Sequence, residues 1–175
     1  MKTLYGALFG IVTLLVLAPL AAADSERAFP SWDQQINKPK RFKVLSQFAG
    51  AAVLDKETGL VWEQSPDTGT PTWFNALTHC YTRTVGGRLG WRLPTIEELA
   101  SLIDPNNATG DPDLPPGHPF SNVLSDLYWS ATTNASAPSD AWGVNLDDGI
   151  VFSGVRPDFN LVWCVRGGQG IDGVQ

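Results

Sequence analysis

Cys80 and Cys164 are the only thiol-bearing residues in this 175-residue chain, and they follow a leader with the pattern of an export signal. Met1-Lys2 gives a short basic start, and Leu4 to Leu17 is apolar and uncharged. Pro19 breaks the run, and Ala21-Ala22-Ala23 sets small residues before Asp24. This reads as a cleaved secretory signal over residues 1–23. A membrane anchor is the rival reading, but the apolar run falls short of the ~20 residues a bilayer helix needs. No cysteine follows the small residues, which argues against a lipid anchor. Outside the cytoplasm, periplasmic or extracellular, two distant cysteines most simply form one disulfide, with a reactive thiol pair as the alternative. Closing so long a loop is worth about 4–5 kcal/mol in the chain-entropy account. The fold must then bring the middle of the chain against its end.

The rest of the composition narrows the class. Apolar residues make up 43% of the chain and charged residues only 17%, enough for one packed domain. Seventeen Gly and 13 Pro point to short elements joined by many turns. Cleavage would remove one basic residue, Lys2, leaving 11 basic and 18 acidic and a net charge of −7. Such a chain is a poor binder of phosphate backbones, so nucleic acid is excluded as a partner. No second stretch is apolar and long enough to span a membrane. Seven Trp suit either a compact loop-rich core or a surface that stacks on ligands.

Residues 24–41 read as a polar lead-in ending in a solvated basic cluster of Lys38, Lys40 and Arg41, continued by Lys43. A first strand is expected near Phe42–Phe48. Ala51–Asp55 and Leu60–Gln64 form a hairpin, with Gly59 at a left-handed turn position. Thr72 caps a helix from Trp73 to Thr84, with Trp73, Ala76, Leu77 and Cys80 on one face and Gly86-Gly87 as its stop. Thr95 and Glu98 make a capping box for a second helix, buried through Ile96, Leu99, Ala100 and Ile103 and stopped by Asp104-Pro105. Residues 104–121 are a long Pro-rich loop. Tyr128–Thr133, Ala141–Leu146, Ile150–Ser153 and Leu161–Arg166 read as strands, with Asp148-Gly149 as a two-residue hairpin turn. Residues 169–175 read as a frayed tail. The order predicts an α+β fold, with two helices packed on short antiparallel sheets and one helix-to-strand disulfide.

Catalytic signatures are sparse. His79 and His118 have no ligand partner at fixed spacing. Gly168-Gln169-Gly170-Ile171-Asp172-Gly173 matches a dinucleotide turn in letters only, with no helix after it. Glu97 and Glu98 suit helix capping, and Asp147-Asp148 suit a turn, rather than a catalytic acid pair. Asp104, Asn106, Asn107, Asp111 and Asp113 are hard oxygen groups on one loop, as calcium requires, but without EF-hand spacing. Their reading is therefore turn chemistry, with no metal and no cofactor. Asn107-Ala108-Thr109 and Asn134-Ala135-Ser136 are glycosylation sequons by pattern.

Six segments in order carry a resemblance: AAVLDKETGLVWEQSP (51–66), GGRLGWRLPTIEELASLID (86–104), LPPGHPF (114–120), YWSATT (128–133), AWGVNLDDGIV (141–151) and VWCVRGG (162–168). Together they resemble the Lcl C-terminal domain family over residues 42–168. The resemblance implies a C-type-lectin-like fold, related to that of formylglycine-generating enzymes, in which a long disulfide joins a helix to a terminal strand. It also implies attachment to glycans or other surface ligands, and it offers no catalytic residues to carry over. The Trp-Asn-Asp calcium signature of sugar-binding animal lectins is missing. The redox cysteine pair of formylglycine-generating enzymes has no counterpart once Cys80 and Cys164 are bridged.

The resulting expectation is an exported, non-enzymatic recognition domain whose partner is a glycan or other envelope ligand. Trp142, Asn145, Asp147, Arg156, Asp158 and Asn160 are the candidate contact residues, on the late strands and their loops. Trp142 also has the commoner reading of an alternating strand aromatic, as a core residue. The alternatives are an enzyme on the same scaffold and a purely structural envelope protein.

Overall fold

The computed structural model describes residues 38–107 and 111–168. The signal segment, most of the lead-in and the tail lie outside the described residues. The chain runs α1 (Lys38–Arg41), β1 (Phe42–Val44), a 3-10 turn (Ser46–Phe48), β2 (Ala52–Asp55), β3 (Val61–Glu63), α2 (Trp73–Thr82), β4 (Trp91–Arg92) and α3 (Ile96–Ala100). It continues through β5 (Leu127–Thr133), β6 (Asp140–Asn145), β7 (Val151–Val155) and β8 (Val165–Arg166). One sheet has strand order β1-β2-β3-β8-β4, and a second has order β5-β6-β7. Every pairing between these strands is antiparallel, as the expected α+β class requires. Among the described residues no helix is long and apolar enough to cross a membrane.

Hydrophobic burial explains the order of the elements. Trp62, Trp73, Trp91, Trp129 and Trp163 are all buried, so these five indoles build the core. Each removes about 150–250 Å² from water, a gross gain of about 4–6 kcal/mol at 25 cal/mol per Å². Each is thus comparable with the disulfide. Two clusters form, one around Trp73, Ala76, Cys80, Trp91 and Cys164, the other around Trp62, Leu99, Leu102, Tyr128 and Trp163. Successive residues of an extended chain face opposite ways. Along 161–165, Val162 and Cys164 enter the first cluster, while Leu161, Trp163 and Val165 enter the second. Burial on both faces is why this closing segment reads as an unbroken apolar run. It forms bridges from Leu161 and Val162 and a regular strand only at Val165–Arg166, shorter than the strand expected from Leu161.

The Cys80–Cys164 disulfide is present and closes a sequence separation of 84, with Cα atoms 5.4 Å apart and both residues fully buried. Buried Glu63 of β3 clamps both sides of it. Its Oε1 accepts from Arg83 Nε at 2.6 Å, three residues past Cys80, and its Oε2 accepts from Cys164 N–H at 3.0 Å. The α3 capping box forms as expected, and Glu98 also holds Arg92 through two 2.6 Å bonds. Arg92 in turn donates to the Gly167 carbonyl.

Three local expectations change. Arg41 is not a solvated cation. It is buried, donates to both carboxylate oxygens of buried Asp55 at 2.9 and 2.7 Å, and reaches the Ser101 carbonyl at 2.8 Å. Helix α2 stops at Thr82, not Thr84, and the two glycines do not cap it. Gly86 and Gly87, with φ of 56° and 73°, instead form a tight turn between Val85 and Arg88, whose backbones exchange both hydrogen bonds. Finally, the loop between β6 and β7 has five residues, 146–150, rather than two. Leu146 is fully buried there, and Asn145 pairs with Ile150.

Gly86 also lies against backbone: a Cβ there would come within 2.4–2.7 Å of Phe48 main-chain atoms, whereas one on Gly87 would meet nothing within 4 Å. Gly87→Ala should cost about 1–2 kcal/mol from its left-handed backbone alone. Gly86→Ala should cost at least about 1 kcal/mol more, from the collision. Urea denaturation of the oxidised proteins measures both.

Candidate functional site

The hairpin β6–β7 carries three of the six candidate contact residues, Trp142, Asn145 and Asp147, and its loop accounts for some of them. Asn145 Oδ1 accepts the Asp147 N–H at 3.1 Å, Asp148 Oδ1 accepts the Ile150 N–H at 3.0 Å, and Gly149 N–H reaches the Asn145 carbonyl at 2.9 Å. The β2–β3 loop is built the same way. Asp55 Oδ1 accepts the Glu57 N–H at 3.0 Å, Thr58 Oγ1 accepts the Leu60 N–H at 3.3 Å, and Gly59 N–H reaches the Asp55 carbonyl at 2.8 Å. Asp55-Lys56-Glu57-Thr58-Gly59-Leu60 and Asn145-Leu146-Asp147-Asp148-Gly149-Ile150 are therefore one loop design used twice. Side-chain oxygens hold the turn, and a left-handed glycine closes it. Asn145 is a turn-former. Asp147 is exposed, and its side chain takes no part in the turn.

Trp142 lies mid-strand on β6 opposite Ser153, half-buried, with its carbonyl accepting from Ser130 Oγ at 2.7 Å. Its ring belongs to neither core cluster.

The other three candidates sit together at the far end of β7, about 17 Å away for a five-residue strand. There residues 155–160 run beside the start of α2. Trp73 N–H donates to the Arg156 carbonyl at 3.0 Å, Phe159 bridges Thr72, and Asn160 N–H approaches the Pro71 carbonyl at 3.4 Å. The Arg156 guanidinium lies over the Trp73 ring, 4.4 Å from its centroid, and 5.9 Å from that of Phe74. The two rings themselves meet edge-on at 5.1 Å. Arg156 forms no ion pair with any described residue, and its buried Nε has no hydrogen-bond partner. A guanidinium in this position is held by ring faces, not by a carboxylate. Asp158 is exposed at the loop tip, and Asn160 is half-buried.

Two residues complete this platform that sequence reasoning missed. Phe74 is 59% exposed and Phe159 is 69% exposed. Their signal was available: Phe74 is out of phase with the buried face of its helix, and Phe159 sits alone in a polar loop. Phe74 lies against the Arg156 guanidinium and Phe159 follows on the loop that bridges Thr72, and neighbouring exposed rings mark an interaction surface better than scattered ones do.

The oxygen-rich loop does not converge on an ion. Buried Asp104 accepts from the Asn106 N–H at 3.2 Å, Asn107 donates to the Leu114 carbonyl at 2.8 Å, and Asp111 is bonded to Ser125. Among the described residues no group of three or more His, Cys, Asp or Glu could hold a metal. His118 is partly buried against Phe120, with ring centroids 5.7 Å apart, and burial lowers its pKa from the ordinary 6.5.

Structurally this is a disulfide-stapled α+β domain with one exposed aromatic–cation platform. The Lcl C-terminal domain family model matches residues 51–166, and the chain belongs to that family. No curated protein matches the sequence.

Two outcomes follow from these assignments. Asn145→Ala should cost about 1 kcal/mol by removing a turn bond, while Asp147→Ala should stay within about 0.5 kcal/mol of the parent; thermal and urea unfolding distinguish them. His118 resists protonation when folded and takes a proton at its ordinary pKa when unfolded. Its contribution is thus fully present above pH 6.5 and declines as pH falls below that value. His118→Gln should flatten the stability profile just below pH 6.5, where few carboxylates yet titrate.

Proposed function

We propose that this is an exported, non-catalytic recognition domain with C-type-lectin-like architecture, binding a glycan or other envelope ligand at the platform of Arg156, Phe74 and Phe159. The observation that carries this reading is exposed Phe74, its ring centroid 5.9 Å from a guanidinium without an ionic partner among the described residues, with exposed Phe159 on the adjoining loop that bridges Thr72. The C–H face of a sugar stacks on such rings, and the guanidinium N–H groups donate to its hydroxyls. Asp158, on the same loop, adds an acceptor. Export is supported by the buried disulfide, which suits an oxidising compartment. The same bridge takes both sulfurs out of thiol chemistry, which tells against the formylglycine-generating alternative on this scaffold.

The floor of the platform is held in place. Trp73 is fixed by Nε1 donating to the Ser130 carbonyl at 2.8 Å, and Arg156 is fixed through its backbone on both sides. A preformed surface loses little entropy on binding.

A screen of oligosaccharides and envelope polymers against the folded protein, in calcium and in chelator, tests the proposal. Binding should survive chelation and fall at least about 10-fold in the Phe74→Ala/Phe159→Ala double variant, which removes exposed rings and should leave the melting temperature in place. Binding that ignores this variant, or silence across the screen, overturns the reading.

A further inference from the structure

The four sheet edges of this domain are not equally protected. β1 is short and carries exposed Lys43, and β4 has only two residues. β5 is covered by neighbouring chain: Trp129 N–H donates to the Leu161 carbonyl at 3.0 Å, Ala131 N–H to Pro94 at 2.7 Å, and Leu161 N–H to Leu127 at 2.9 Å. β7 pairs with β6 on one side, and no described strand covers the other. Its five residues, Val151-Phe152-Ser153-Gly154-Val155, contain no charge and no proline, and no bulge interrupts their register with β6. Edges of this length are normally blunted by one of those devices.

The register says which groups face outward. Asn145 N–H bonds to Ile150 O at one end of the ribbon, and Arg156 N–H bonds to Ser139 O at the other. Alternation along an antiparallel ladder then turns the N–H and C=O groups of Phe152 and Gly154 toward β6. Those of Val151, Ser153 and Val155 face away from it. Among the described residues, the only bond to these outward groups is the Asp158 N–H on the Val155 carbonyl at 2.9 Å, which leaves that oxygen a second lone pair.

We propose that β7 is a self-association edge, pairing antiparallel with β7 of a second copy about a two-fold axis at Ser153. That axis sets Ser153 opposite its own counterpart and Val151 opposite Val155 of the partner, twice. The outward backbone groups then meet donor to acceptor. The side chains brought together are Val151 and Val155, 45% and 44% exposed in the single chain. A two-fold axis makes neighbours of equivalent residues, so a charged edge would repel itself. A strand without charge has no such conflict, and this favours a second copy over an unlike partner. The pairing would join two three-stranded sheets into one of six. Five residues a side bury far less than the ~800 Å² per partner of a standard interface, so the dimer is weak and reversible.

Sedimentation velocity of the folded protein from about 1 to about 500 µM should show a concentration-dependent monomer–dimer equilibrium, lost in Val155→Lys. Residues opposite one another in a hydrogen-bonded pair have Cα atoms about 5.5 Å apart, within disulfide range. Ser153→Cys, oxidised with a glutathione disulfide buffer, should therefore cross-link into covalent dimers at least about 10-fold faster than Val151→Cys, which would face a valine. A monomer at every concentration, with equal and slow cross-linking of both variants, overturns the proposal. So does a dimer unaffected by Val155→Lys, which would place the contact elsewhere. Cross-linking of the edge to residues 24–37 of the same chain would likewise assign it to an internal occupant.

Discussion

The fold depends on what is fastened around Glu63. This carboxylate is almost fully buried, and such a group is tolerated only when paired and hydrogen-bonded. Its two oxygens bind the last turn region of α2 through Arg83 and the closing segment through the Cys164 amide, the same two parts of the chain that the disulfide joins. The covalent and the ionic fastening therefore act at one place. Removing the Arg83 partner would leave an uncompensated buried charge, at a cost of about 3–5 kcal/mol. Trp163 Nε1 also donates to the Glu63 carbonyl at 2.9 Å, so β3 holds the closing segment through both side chain and backbone. The first sheet, α2 and the start of the second sheet all take their positions from this knot.

Much of this was legible in the sequence because it followed local rules. The Thr95–Glu98 capping box, the left-handed Gly59 and the buried face of Trp73, Ala76 and Cys80 each need only a few residues to specify them. The disulfide was legible because two cysteines behind a leader with an export pattern allow a single pairing. What was not legible depended on distant partners. Arg41 reads as one of several surface cations until Asp55 and the Ser101 carbonyl are placed around it. Gly86 reads as a helix stop until Phe48 packs against it. Both errors share a cause: a local motif with an ordinary meaning was overridden by a long-range contact.

The candidate site was half legible for a related reason. Polar side chains on late loops are poor evidence of binding when the turn itself needs them. Asn145 and Asp148 occupy the roles that Asp55 and Thr58 fill in the other hairpin, and those roles are structural. Arg156 differs because no turn bond or ion pair among the described residues occupies its guanidinium, and because its neighbours are rings. The exposed rings stand where the periodic pattern calls for polar residues, at Phe74 and Phe159, and not among the acids and amides.

The hairpin β6–β7 connects the two proposals physically. Phe152, between the outward-facing residues of the edge, packs its ring into space that only glycines leave open. A Cβ on Gly143 would lie 2.5 Å from that ring, and one on Gly154 would lie 3.1 Å away. The ring also meets Trp129 of the core at 6.0 Å. The edge strand is thus anchored from its inner face while its outward backbone groups, apart from the Val155 carbonyl held by Asp158, bond to no described residue, so partner pairing requires no rearrangement of the core. Arg156 follows Val155 directly, so a two-fold at Ser153 would place the two Arg156 backbones six residues of strand apart, about 20 Å. Two platforms at a fixed spacing of that size would meet a repeating polymer as one bivalent surface. A weak contact at each site would then gain through effective concentration what a single shallow platform lacks.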